Sequence, residues 1–349
     1  EVSCKIYQPE PIVDESGKTF AYAKYLAKDN ILGTCFRPRI KVLGQNKNLA
    51  FYILKAKDHA WQNLNDYLVE PSSSLAKAMS LATRREIPDE LRNIFAKVGL
   101  SHMIAISGLH MAIIVWLMQS FLIALGLSRK SSLWFLIIFL AIYLYMIGFP
   151  SSAVRASWMV IILLLGPFLG RSTESIYSLV LVADIFILFN PYLLLYDIGF
   201  QLSFLAVAGL LYYVKFFNKA LVFIPTKFKI REVMAVTLAA QVFTWPFIIY
   251  NFGIFSLIAP IANFLILPFL PAVLILSIIL GIFGAWSFIA NIIAWPLFII
   301  LKIIVQIAEL LAKVPYAFVI IEDFSLFYMF LALFFMLMIT LVLKPKDYE

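Results

Sequence analysis

Apolar runs of about 18 residues or more recur from residue 103 to the end of the chain, the length a helix needs to cross roughly 30 Å of hydrocarbon. Nine hydrophobic segments are predicted, near 103–126, 131–149, 152–169, 174–190, 193–215, 232–255, 257–283, 286–313 and 324–343. Several carry prolines: Pro246 in FTWPF, Pro260, Pro268 and Pro271 in IAPIANFLILPFLP, and Pro296 in AWPLF. Proline removes a helical hydrogen bond, so breaks are expected at these points, tolerated where protein or a water-filled cavity satisfies the freed groups.

Upstream the pattern changes. VSCKIY (2–7) and RIKVLG (39–44) alternate in part and are separated by turn chemistry in DESGK (14–18) and GQNKN (44–48), so residues 1–60 read as a small β-rich element. Residues 61–101 read as amphipathic helices on or near a membrane surface, and 102–345 as the membrane domain. The clearest amphipathic helix starts at Pro88, with Asp89 and Glu90 at its positive end, a stripe of Leu91, Ile94, Phe95 and Val98, and Gly99 as its stop.

Composition turns the pattern into a class. Hydrophobic residues make up 63% of the chain and charged ones 14%, with a mean hydropathy of +0.93, far from a soluble domain. The expected fold is mainly α, a polytopic helical membrane bundle rather than a barrel. The chain starts at Glu1 with no charged n-region ahead of an apolar stretch, which reads as a fragment without a signal peptide. Cys4 and Cys35 both fall in the β-rich part; a disulfide is allowed there if that part lies outside the cytoplasm, and free buried thiols are the alternative.

Charge adds orientation. Arg129 and Lys130 fall in the first loop, Arg171 in the third, Lys215, Lys219, Lys227, Lys229 and Arg231 in the fifth, and Lys344 and Lys346 in the tail, whereas the second, fourth and sixth loops are almost free of cations. If all nine segments cross, residues 1–101 lie outside and the C-terminus inside. One segment complicates the parity: Asn291, Lys302, Gln306, Glu309 and Lys313 form a polar stripe at helical spacing, suited to lining water or to lying on the surface. The stretch 35–57 holds Arg37, Arg39, Lys41, Lys47, Lys55 and Lys57 without an acid, interleaved with Phe36, Phe51 and Tyr52. Cations for phosphates and rings for bases suit single-stranded nucleic acid; an ordinary solvated basic face is the alternative.

Polar groups inside the spans narrow the chemistry. Arg155 sits about one turn inside a span, and Asp184 and Asp197 lie in or beside later ones. Two readings compete: Arg155 pairs with one of these acids in a polar interior, or it snorkels to a headgroup. Gln241, Thr244, Asn251, Asn263 and Asn291 add neutral polar groups, singly interhelical glue and together compatible with a hydrated path. In GLSHMIAISGLHMAII (99–114), Ser107 and His110 are three residues apart on one helical face. A serine hydrolase needs an orienting acid and an oxyanion hole, and none is evident. His102 and His110 are eight apart, His59 is distant, and there is no metal-ligand spacing, so neither a metal nor a cofactor is expected. The plainer reading is that Ser107-Gly108 permits close helix contact or a local break.

Three motifs in order, SGLH within 99–114, SSAVRASWMVIILLLGPFLGR (151–171) and NPYLLLYDIGFQLSFLAVAGL (190–210), resemble the competence domain of the ComEC-type DNA-uptake channel family, and IAPIANFLILPFLP (258–271) resembles its late span. The resemblance covers roughly residues 75–315, and the N-terminal segment is similar to the trailing end of the OB-like external domain of that family. It implies a polytopic, non-enzymatic channel of the cytoplasmic membrane passing single-stranded DNA during natural transformation. The implied partners are a DNA-delivery protein and a cytoplasmic motor or single-strand-binding protein, with a homo-oligomer as a further expectation. By matching position, Ser107, Gly108 and His110 carry the first motif, Arg155 the second, and Asp197, Gln201 and Ser203 the third. The C-terminal metallo-β-lactamase-like domain of many members has no counterpart here, and the early spans also lack one. Rival function classes are a small-solute transporter or lipid flippase, disfavoured by the lack of an inverted repeat, and a structural membrane scaffold.

Overall fold

The structure is a computed structural model that describes residues 2–13, 19–20, 22–27, 31–44, 47–170, 175–225, 229–321 and 323–342. The cations Arg171, Lys227, Lys344 and Lys346, part of the expected topological signal, lie outside the described residues.

The chain opens with β1 (Val2–Ser3), β2 (Ile6–Tyr7), β3 (Ile12–Val13), β4 (Thr19–Phe20), α1 (Tyr22–Ala27), β5 (Thr34–Cys35) and β6 (Arg39–Ile40). β1 pairs with β6 and β2 with β5, both antiparallel, with Val2 opposite Ile40 and Ile6 opposite Cys35. Between the two ladders Cys4 and Lys5 face the three residues Phe36, Arg37 and Pro38, so the ribbon bulges, and Arg37 takes φ 49°. Cys4 and Cys35 are joined by a disulfide across this bulge, with Cα atoms 6.1 Å apart.

The β-structure of this region ends at Ile40, and α2 (Leu49–Tyr67) crosses the expected boundary at residue 60. Asn48 caps it, its Oδ1 accepting the Phe51 N–H at 3.0 Å, and the run LAFYILKA that follows holds no Gly or Pro to stop it. Phe51, Tyr52, Lys55 and Lys57 therefore sit on a helix, apart from Arg37, Arg39 and Lys41. α3 (Ser72–Leu81) overturns a second expectation, because all ten of its residues are buried. It lies inside the bundle rather than on a membrane surface, packed on α2 and on two of the long apolar helices downstream. A 3₁₀ turn (Arg84–Glu86) leads to α4 (Asp89–Lys97), which buries Leu91 and Phe95 as its pattern requires.

The apolar part consists of α5 (Ser101–Ile104), α6 (Gly108–Ala124), α7 (Arg129–Ile147), α8 (Ser151–Leu165), α9 (Ser175–Phe189), α10 (Tyr192–Tyr196), α11 (Ile198–Ala220), α12 (Ile230–Phe252), β7 (Ile254–Ser256), α13 (Ala259–Ile266), α14 (Leu270–Phe283), α15 (Ser287–Ala312), β8 (Phe318–Ile320) and α16 (Leu326–Val342). Among the described residues, five helical stretches are long and apolar enough to cross a membrane: 129–147, 198–220, 230–252, 259–283 and 287–312; α6, α8, α9 and α16 are shorter apolar helices. Each of the nine predicted segments thus overlaps one of these helices. Pro246 and Pro296 do not end theirs: both lie inside continuous helices. Pro260 and Pro271 stand in first turns, where no intrahelical N–H is lost, and Pro268 lies in the 3₁₀ turn that bends α13 into α14.

β7 and β8 pair antiparallel, Ile254 opposite Ile320 and Ser256 opposite Phe318, tying the α12–α13 connection to the end of α15. Gly99 closes against this corner. Its φ of +74° suits glycine, and a Cβ there would collide with Ala259 and crowd Ser256. α15 buries Ala290, Ala294, Leu297, Leu301, Ile304, Val305 and Ala308 and leaves Asn291, Lys302, Gln306, Glu309 and Lys313 exposed on its other side.

Two apolar cores result. The larger joins α2–α8 to α13–α15, and the smaller joins α11, α12 and α16 around Tyr213, Ala239 and Phe243. In the smaller, α11 and α12 lie so close that a Cβ on Gly209 would strike the Ala239 carbonyl.

The burial of α3 rests on a charge cluster that its apolar neighbours would otherwise forbid. Lys77 is 2% exposed; its Nζ lies 2.8 Å from Glu86, 3.8 Å from Glu70 and 4.3 Å above the Trp61 ring, and donates to Asn65 Oδ1 at 3.1 Å. Trp61 Nε1–H in turn donates to Glu86 at 2.8 Å. Glu86→Ala should strand the buried ammonium and lower stability by about 1–3 kcal/mol, less than a fully buried pair because Glu70 remains and Glu86 is partly solvated. Thermal unfolding in detergent reads this, and Lys77→Met combined with Glu86→Gln should recover most of the loss; an unchanged midpoint in Glu86→Ala would show that the cluster does not hold α3.

Candidate functional site: a polar joint between helices

The break that the sequence places at Ser107-Gly108 is a helix start. Ala105 and Ser107 are extended, and Ser107 is the N-cap of α6. Its backbone N–H donates to His110 Nδ1 at 3.3 Å, and its Oγ lies 2.9 Å from the same nitrogen. This is a capping box in which histidine takes the place usually held by Glu or Gln. The apolar run is thereby interrupted at a turn that the side chains of Ser107 and His110 hold. His110 is fully buried, and among the described residues its Nε2 has no hydrogen-bond partner.

α8 lies beside this turn. Ser152 Oγ donates to the Ile106 carbonyl, and a Cβ on Gly108 would sit 3.8 Å from the Ala156 methyl. The next residue back along α8 is Arg155, 2% exposed. Its guanidinium turns toward α11: Nε–H donates to Ser203 Oγ at 3.0 Å and Nη2–H to the Gly199 carbonyl at 2.8 Å, with the Phe200 ring 5.5 Å away. Asp197 caps α11, its Oδ1 accepting the Phe200 N–H at 2.8 Å. A Cβ on Gly199 would lie 3.1 Å from Asp197 Oδ1 and 3.8 Å from Arg155 Nη2, so carboxylate and guanidinium flank one point. Arg155 therefore faces the interior and does not snorkel. Asp184 is exposed on α9.

The structure thus brings Ser107, Gly108 and His110 against α8, and joins Arg155 to the turn of Asp197 and Ser203. Ser203 also donates to the Phe200 carbonyl at 3.0 Å. Gln201 faces elsewhere, its Nε2–H donating to Leu194 and pinning α10 to α11. The basic residues of the N-terminal region fall on two elements. Arg37 lies 5.2 Å over the Phe36 ring, and Arg39 and Lys41 are exposed beside it. Lys55 and Lys57 belong to α2, where burial lowers the Lys57 ammonium below its ordinary range against the pull of Asp58. Among the described residues no group of three or more His, Cys, Asp or Glu is placed to hold a metal. The Lys77 cluster escaped sequence reasoning; its signal was the lone cation in SSSLAKAMSL, whose partners Asn65, Glu70 and Glu86 lie on either side of α3.

Fold and site together define a multi-pass helical membrane protein whose bundle holds a buried polar joint. The family model for competence protein matches residues 79–346, and the chain belongs to that family. It is 29% identical over 250 residues to ComE operon protein 3 of Bacillus subtilis (strain 168), an alignment covering 72% of this chain and 31% of that protein. The chain thus spans about a third of the length of the curated relative it matches. No solved structure matches it.

The capping geometry makes a direct test. Ser107→Asn keeps an N-cap acceptor and removes the hydroxyl, so it should stay close to wild type in stability, whereas Ser107→Ala should lose about 1 kcal/mol. Thermal unfolding in detergent decides between them. Equal damage in both variants would point to a role for the hydroxyl other than capping.

Proposed function

We propose that this chain forms the membrane portion of a channel that carries single-stranded DNA across the cytoplasmic membrane during natural transformation, without catalysing a reaction. The observation that carries the reading is the meeting of three separate motifs in one buried polar joint, in a chain of the competence protein family. A nucleic acid strand bears a charge per nucleotide and cannot enter hydrocarbon. Its path must be wet and polar, yet not so basic that the polyanion sticks. One deep arginine among neutral hydroxyls and amides fits that requirement better than a lysine-lined pore.

Residues 1–101 lie outside on this reading, and the ribbon presents Arg37, Arg39 and Lys41, with Lys55 and Lys57 on the following helix, as contacts for phosphates. The loop cations from Lys215 to Arg231 face the cytoplasm, where they fix topology. A DNA-delivery protein outside, a motor or single-strand-binding protein inside and a second copy of the chain are the proposed partners.

The test is strand entry. In cells or vesicles supplied with the uptake partners, His110→Gln should lower entry of labelled single strand by about tenfold or more at equal membrane insertion. Normal entry in that variant would remove the joint from the path, and flux of a small solute without DNA would favour a transporter.

A further inference from the structure

The described state is closed at the joint. His110 is fully buried and Arg155 is 2% exposed, so a strand cannot reach either without a movement of helices. The question is where the bundle parts.

The two apolar cores share no residue. The larger has no member from α11, α12 or α16, and the smaller none from α2–α8 or α13–α15. What lies between them is polar. On α12, Ala239, Val242 and Phe243 face the smaller core. At about 100° per residue, Thr237, Gln241 and Thr244 fall on the opposite side of that helix. Thr237 and Thr244 are nonetheless buried, at 6% and 7% exposure, and Gln241 Oε1 is buried without a partner. On the side of the other body, α12 packs on α13. There Asn263 is 6% exposed, with a buried Oδ1 that also has no partner. The second crossing point is Arg155, which reaches from α8 to Ser203 and Gly199 of α11 and keeps a buried, unpartnered Nη1.

An interface of this kind can open to water. Parting an apolar core would wet its whole surface, at roughly 25 cal/mol per Å². Parting a polar seam exchanges protein hydrogen bonds for water, and the orphaned atoms gain partners they now lack. Resting on the strand-passage reading above, we propose that the route of the strand is the seam between the two apolar cores, lined by Thr237, Gln241, Thr244, Asn263 and Ser203, and that the bonds from Arg155 to α11 are the latch that holds it shut. The ligand class is a hydrated polyanion. Neutral amides and hydroxyls contact it weakly enough to let it slide, and the one cation of the seam is engaged with α11 while the seam is shut.

Unlatching should be visible without any DNA. In vesicles containing the purified chain, passive leak of a small ion reports an open seam. Wild type should be quiet, Arg155→Met should leak about tenfold faster or more, and Ser203→Ala should fall between them. Misfolding is separated from unlatching by a second variant, Arg155→Cys with Ser203→Cys. The native cysteines are bonded to each other, so the new thiols can be joined selectively by a short bis-methanethiosulfonate, each thiol displacing one methanesulfinate. The unjoined protein should leak and the joined one should be quiet, an outcome that a collapsed bundle does not give. A quiet Arg155→Met, or a leak that joining leaves unchanged, would overturn the proposal. Reversible leak in a protein that never passes a strand, with all uptake partners present, would uphold the seam and overturn the strand as its cargo.

Discussion

The guanidinium of Arg155 is the contact on which the arrangement of this bundle turns. It stands one turn inside an apolar helix, 2% exposed, and donates to a side chain and a carbonyl of α11. A charge in that position is tolerated only with partners of good geometry, and Ser203 and Gly199 of α11 supply them. The capping turn of Ser107 and His110 packs against the same face of α8, and the Asp197 cap orders the turn that Arg155 reaches. Three motifs far apart in sequence thus meet on α8, the first through Ser152 and Ala156 and the third through Arg155.

The surrounding fold explains how such a joint survives in a membrane. Two of its helix starts are capped from within the chain segment: His110 answers the Ser107 amide and Asp197 the Phe200 amide, while Ser152 of α8 satisfies the Ile106 carbonyl across the contact. Elsewhere the larger core is pinned by the charge cluster of Lys77 and by the β7–β8 pair. The smaller core is a close hairpin of α11 and α12 with α16 against it. Rigid bodies joined at a polar seam are the arrangement from which domain-scale opening is drawn in other proteins.

Hydrophobic periodicity made the class and the nine apolar helices legible, because length and hydropathy are all that a span requires of its sequence. A local break at Ser107-Gly108 was one of two readings of the apolar run; that it is a helix start capped by Ser107 was not legible. Two further features were not. α3 reads as a surface helix because SSSLAKAMSL is polar and charged, and its burial depends on Glu70, Glu86, Asn65 and Trp61, whose proximity no local pattern reveals. The direction of Arg155 was likewise open, since an arginine one turn from a helix end can reach either a headgroup or the interior; only the position of α11 decides it. Proline positions also misled: Pro246 and Pro296 are carried inside continuous helices, where neighbouring packing outweighs one lost hydrogen bond.

The central claim is that a single strand travels between the two apolar cores. The most direct measurement is photo-crosslinking from a labelled strand stalled in transit to a photoreactive residue placed singly at Gln241, Asn263 or the exposed Trp134. The account expects adducts at Gln241 and Asn263 and none at Trp134. Adducts absent from both seam positions while the strand is still imported would contradict it.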